Sequence, residues 1–184
     1  MNEKTVVLVD GENLVFRYQA MLKAGRKPRS DVAHLPDQFV WSNQVLEGRM
    51  VDLLRINYYT SMVGDEGAMH SLRKTISNTQ VRCIPQRGIN QIGQLVPRVF
   101  KKSSKSEKTS ICDMAIAVEA MRSAYMRQAE IMLLITGDGD FLELVKEVAH
   151  AGIVVQVAAL SNGLSPELPL VADDFRDLDS IFFE

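Results

Sequence analysis

The chain has 184 residues, 46% of them apolar and 24% charged, with a formal net charge of −2. That mixture fits one globular domain over residues 1–184 and excludes a disordered or fibrous chain. Near-neutral charge argues against a protein that coats nucleic acid, yet leaves room for an acidic site whose carboxylates offset basic patches. The two cysteines, Cys83 and Cys112, are too few for a disulfide framework and suit a reducing compartment. No stretch approaches the roughly 20 apolar residues that span a bilayer, and the short apolar run near the N-terminus does not read as a leader. A cytoplasmic protein with no membrane role is the expectation.

In chain order, Thr5–Val9 (TVVLV) is a β-branched apolar run that stops at Asp10-Gly11, the pattern of a buried strand. Residues 13 to 24 have helical spacing, with Leu14, Tyr18, Met21 and Leu22 on one side. Gly25 to Pro36 reads as a basic, turn-rich loop, and Asp37 to Glu47 as a second helix with Phe39, Val40 and Val45 as its apolar contacts. Leu53 to Tyr59 is the next strand, Asp65 to Asn78 a helix and Val81 to Pro85 a third strand. Gln94 to Phe100 reads as a short extra strand, at an edge because Pro97 cannot donate to a ladder. Lys101 to Lys108 is rich in Ser and Lys and reads as a mobile segment.

From Ser110 a helix is expected, with Ile111, Met114, Val118, Met121 and Tyr125 in one stripe. Ile131 to Thr136 is a strongly apolar strand, Gly137 to Asp140 a turn, and Phe141 to Ala151 a helix closed by a C′ glycine at Gly152. Ile153 to Ala159 is another buried strand. A turn with a short helical piece is expected over Asn162 to Pro169, and a final strand over Ile181 to Phe183. Strands alternating with helices imply an α/β fold: a doubly wound, mostly parallel, Rossmann-like sheet with helices on both faces.

In such sheets ligands bind beyond the carboxyl ends of the strands, where the strand order reverses. Asp10 follows the first strand, and Asp138 and Asp140 follow the strand at 131–136. Asp113 lies in the first turn of the helix that leads into that strand. If the two strands are neighbours, these carboxylates share a crevice. Clustered carboxylates raise one another's pKa, a conflict that a cation removes. An all-oxygen set suits Mg²⁺ or Mn²⁺, which activates water and steadies charge on a phosphoryl oxygen. Asn13, one turn after Asp10, can orient a carboxylate or a water without adding charge.

Each acidic position also has a structural explanation. Asp10-Gly11 suits a turn, Ser110 to Asp113 matches a capping box, and Asp140 suits a helix N-cap. Arg98, Lys101, Lys102, Lys105 and Lys108 form a basic segment leading into Asp113, and Arg17, Lys23, Arg26, Lys27 and Arg29 form another; both can track a phosphate backbone or simply be solvated. Tyr58 and Tyr59 end a strand at the same edge, where one can stack on a base. His34, His70 and His150 are scattered, and none forms a zinc or Ser-His-Asp motif.

Three blocks resemble the NYN family of the PIN-like nuclease superfamily, the group that includes LabA-like proteins. They are Val9 to Leu14 (VDGENL), Asp113 to Met121 (DMAIAVEAM) and Ile135 to Leu142 (ITGDGDFL), with Ala172 to Phe175 like the family's closing segment. The resemblance covers most of the chain, least over 17–50. It implies a PIN-like α/β/α sandwich, Mg²⁺ or Mn²⁺, and phosphodiester hydrolysis, usually of RNA. It assigns the acidic set to Asp10, Asp113, Asp138 and Asp140, with Asn13 beside Asp10. The chain departs from the family at Ser110, where members often have the Lys of a Lys-Gly pair. The reading is therefore a metal-dependent ribonuclease. The alternatives are a non-catalytic nucleic-acid-binding or regulatory module of the same fold, or a metal-dependent phosphatase. The oligomeric state is open, a homodimer among the options.

Overall fold

A computed structural model describes residues 3–47, 52–83, 91–104 and 110–184. Strand β1 (Lys4–Asp10) runs straight into helix α1 (Gly11–Lys23). A hairpin of β2 (Val32–Leu35) and β3 (Phe39–Ser42) follows, then a 3-10 turn at Asn43–Leu46. Next come β4 (Asp52–Val63), α2 (Glu66–Ser77), β5 (Gln80–Cys83) and β6 (Gln91–Lys102). The second half holds α3 (Ile111–Tyr125), β7 (Ile131–Ile135), α4 (Leu142–His150) and β8 (Val154–Ala159). It closes with α5 (Leu168–Val171), β9 (Asp174–Asp177) and α6 (Asp179–Phe182).

Among the described residues, seven strands form one sheet in the order β5-β6-β4-β1-β7-β8-β9. All neighbours are parallel except β5 against β6. This is the expected α/β, mostly parallel architecture. From β1 the chain steps outward through β4 and β6, then returns to lay β7, β8 and β9 on the other side. The strand order therefore reverses between β1 and β7, which pair from Thr5 opposite Ile131 to Val9 opposite Ile135.

The alternation of side chains along a strand divides the apolar interior in two. Val7 and Val9 of β1 join Leu14, Val15 and Tyr18 of α1 and Met69, Leu72 and Ile76 of α2. Val6 and Leu8 point the other way, to Cys112, Ile116 and Ala120 of α3 and Val145 and Val148 of α4. A central parallel strand is buried on both faces, which explains why Thr5–Val9 is apolar without a break.

Several local expectations change. Residues 39–42 form a strand, and only Asn43–Leu46 turns helically, as a 3-10 piece. Phe39, Val40 and Trp41 are all buried, because β3 lies between α1 and the Tyr58 ring rather than on an amphipathic surface. The first strand of this hairpin occupies part of the expected loop. β6 is twelve residues long and runs through Lys102, into the segment read as mobile. Its pairing with β5 stops at Gln94, so Pro97, opposite Tyr58 of β4, sits beyond β5 and takes nothing from that ladder. The α3 helix forms as expected, but its apolar stripe faces outward: Met114 is 61% exposed and Val118 50%. Its packing face is built from small residues, Cys112, Ala120, Ser123 and Ala124, with Ile116. Pro169 opens α5 instead of ending a helix, β9 was not anticipated, and Ile181 and Phe182 are helical. Gly152 takes the C′ position with a φ of 90°, as read.

Candidate functional site

Asp10 ends β1 and caps α1. One carboxylate oxygen accepts the backbone N–H of Asn13 at 3.0 Å, and the other accepts the Thr136 hydroxyl at 2.8 Å. No turn separates strand from helix, so the Asp10-Gly11 pair is a helix start. Asp10 is only 3% exposed. Burial pushes its carboxyl up to about 7; the bonds from Asn13 and Thr136 oppose the shift, while the charges of Asp113 and Glu12 add to it.

The partner loop is locked to this corner. Thr136 also accepts the backbone N–H of Asp138 at 3.1 Å, and Asp138 accepts that of Asp140 at 3.0 Å. Asn13 accepts the Gly137 N–H through its Oδ1 at 3.1 Å, fastening α1 to the loop after β7. The helical cap there is Asp138, not Asp140. Ser110 makes no side-chain cap at α3, so the capping-box explanation of Asp113 fails. Asp113 is half-buried, and burial, followed by the charges of Asp138, Glu12 and Asp140, holds its carboxyl above the usual range; Lys102 pulls the other way. All four predicted aspartates thus lie at the carboxyl edge, where β1 meets β7.

Four residues that complete this corner were not anticipated as such. Glu12 accepts hydrogen bonds from Lys102 and from the Ser61 hydroxyl. Burial alone would raise its carboxyl, but those two donors and the Cys112 thiol outweigh it and keep Glu12 below the usual glutamate range. Lys102 is therefore an ion-pair partner inside the cluster rather than a free surface cation. Thr136 is the fourth. A sequence signal for Glu12 was present, in the same motif as Asp10 and Asn13. Ser61 and Lys102 become visible only when β4 and β6 are known to run to Val63 and Lys102.

The basic residues divide. Arg98 and Lys101 are exposed on β6, and Lys105 and Lys108 lie outside the described residues. Arg26 pairs with Asp179 and Arg29 with Asp31, so part of the second basic segment is spent within the chain. Tyr58 and Tyr59 cannot stack on a base. They are 0% and 2% exposed, and the Tyr58 hydroxyl both accepts the Val40 N–H and donates to its carbonyl.

A family model described as the NYN domain matches residues 4–179. The chain belongs to the NYN domain family. That places it in the PIN-like nuclease superfamily. A crystal structure of a protein of unknown function from Vibrio parahaemolyticus RIMD 2210633 is similar in fold. The two share 18% identity at a TM-score of 0.64, over 100% of this chain and 97% of that one. No curated protein matches the chain. Among the described residues, no helix of this NYN domain is long and apolar enough to cross a membrane.

The family generally uses a divalent metal. The donor chemistry of the corner fits one, because every candidate ligand is a carboxylate or amide oxygen. Burial raises both Asp10 and Asp113, and neighbouring carboxylates add to it, Asp113 and Glu12 on Asp10 and Asp138, Glu12 and Asp140 on Asp113; that repulsion is what a cation relieves. Among the described residues, no three His, Cys, Asp or Glu side chains are placed to grip one ion directly. Mg²⁺ tolerates that, since it keeps several waters and needs only one or two carboxylates in direct contact.

Proposed function

We propose that this NYN domain is a Mg²⁺- or Mn²⁺-dependent nuclease that hydrolyses phosphodiester bonds in RNA at the corner between β1 and β7. The observation that carries the reading is the tying of buried Asp10 to the Thr136–Asp138 loop at the point where the strand order reverses, with burial first and neighbouring carboxylates second holding Asp10 and Asp113 above their ordinary values. Asp10, Asp113, Asp138 and Asp140 would hold the ion, one or two of them directly and the others through its bound waters, with Asn13 fixing the loop that presents Asp138. Bound there, the ion supplies charge that activates water and steadies negative charge developing on a phosphoryl oxygen. Thr136 donates to Asp10 and so orients its carboxylate. Lys102 neutralises Glu12, which keeps a further unpaired negative charge away from an approaching phosphate. Exposed Arg98 and Lys101, with Lys105 and Lys108, are the candidates to track the RNA backbone.

The test is Asp138→Asn. An asparagine oxygen can still accept the Asp140 N–H, so the loop should survive while the negative charge is lost. Cleavage of a labelled single-stranded RNA in Mn²⁺ should fall by at least about a hundredfold, with an unchanged melting curve. Full activity of the variant would reject the assignment. A second reading, a binding module without catalysis, is favoured by the lack of three converging ligands among the described residues. It expects no cleavage by the unmodified protein at any Mn²⁺ concentration, with RNA still bound.

A further inference from the structure

Beside the acidic corner lies a pocket of about 340 Å³ to which the proposed chemistry assigns no role. It opens between α1, the turn of the β2–β3 hairpin and the carboxyl end of β4. Glu12 and Lys102 line it, so it is continuous with the corner where the phosphodiester would sit. The volume is near the lower end of the usual ligand range of about 300–1,000 Å³, which suits one nucleotide unit rather than a duplex.

The walls are built before any ligand arrives. Gln19 of α1 and Asp37 of the hairpin turn bond reciprocally: the Gln19 amide donates to the Asp37 carboxylate at 3.0 Å, and the Asp37 N–H donates to Gln19 Oε1 at 2.9 Å. Thr60 of β4 donates to the Gln38 carbonyl at 3.0 Å. The hairpin tip is thus tied to both other walls. Phe16 forms part of the lining and is 64% exposed, on a helix whose other large apolar residues turn inward. The Arg17 guanidinium lies over this ring, 5.3 Å from its centroid, and the exposed remainder of the ring at the pocket mouth is a platform for a planar base.

Charge decides what kind of group enters. Lys102, the cation among the lining residues, is already paired with Glu12. A phosphate would therefore have to break that pair to find a counter-charge, whereas a neutral base, with donors and acceptors on its edge, needs none. The half-buried Gln38 side-chain amide offers both kinds of partner.

We propose that this pocket receives the base of a single-stranded RNA nucleotide next to the bond to be cut, stacked on Phe16. The proposal rests on the nuclease reading for its substrate class, but binding can be tested apart from cleavage. The full chain carrying Asp138→Asn would be titrated into single-stranded RNA oligonucleotides with 2-aminopurine at one position each, alone and together with Phe16→Ala or Phe16→Tyr.

One probe position should lose fluorescence on binding. Phe16→Ala should abolish that quenching and weaken binding about tenfold, with no change in melting temperature, and Phe16→Tyr should restore both. RNA bound without any quenched position, or with quenching and affinity indifferent to Phe16→Ala, overturns the pocket, even if the unmodified protein cuts RNA. Quenching that depends on Phe16 in a protein that never cuts RNA upholds the pocket and sinks the nuclease reading. Absence of RNA binding sinks both.

Discussion

Replacing Asp10 by asparagine is expected to stabilise the protein in chelator at pH 8 while abolishing RNA cleavage. The folded carboxyl titrates near 7 and the unfolded one near 3.8. Well below the unfolded value of 3.8 both states are protonated, and Asp10 contributes no pH-dependent difference. As pH rises toward 7 the unfolded chain releases its proton while the folded chain holds on, so stability falls. Above 7 the whole difference is present, amounting to at most about 4 kcal/mol. Asparagine removes that slope and keeps an oxygen for the Asn13 N–H. Melting followed by circular dichroism should show the variant on the order of 10 °C above the unmodified protein at pH 8, with a smaller gap at pH 5. Equal destabilisation at both pH values would mean that Asp10 is comfortably ionised in the fold, contrary to its burial. Glu12 has the opposite sign: held low, it contributes stability above its ordinary value of 4.5 that is lost as pH falls.

The second large effect is steric. Gly11 is the first residue of α1, packed against the neighbouring strand. A Cβ there would lie 2.5 Å from the Tyr59 carbonyl oxygen and 2.8 Å from Cζ of Tyr58. Neither can retreat: one is strand backbone, and the other ring is fully buried with its hydroxyl bonded to Val40. Gly11→Ala should therefore cost about 3 kcal/mol by forcing α1 away from β4. Because α1 carries Glu12 and Asn13, cleavage should fall further than stability alone accounts for. Denaturant unfolding alongside an RNA cleavage assay at low temperature checks both. A variant as stable and active as the parent would show that the close approach is dispensable.

What could be read from residues alone was the central sheet. β1 and β7 hold continuous apolar runs closed by Asp10 and by Thr136-Gly137, β8 is broken only by Gln156, and their parallel pairing follows from the alternation with helices. The aspartates followed because strand ends locate a crevice without any knowledge of side-chain contacts. The β2–β3 hairpin was illegible. Four residues show no period, and Phe39, Val40 and Val45 satisfy a helical spacing as readily as a buried strand. Helix α3 was found, but its packing face was not, since small residues that let a helix lie close carry little hydrophobic signal while Met114, Val118 and Tyr125 carry much. The Glu12–Lys102–Ser61 contacts join positions up to 90 residues apart, a pairing that no local pattern encodes.

The chain of bonds from Asn13 through Asp10 and Thr136 to Asp138 and Asp140 has a genetic consequence. The start of α1 and the loop after β7, more than 120 residues apart, answer to each other, so the tolerance of one to replacement is set by what occupies the other. Changes in both should combine with strong epistasis: once Thr136→Val has loosened the loop after β7, Asn13→Ala has less left to disturb, and the double variant should lose less than the two single losses together.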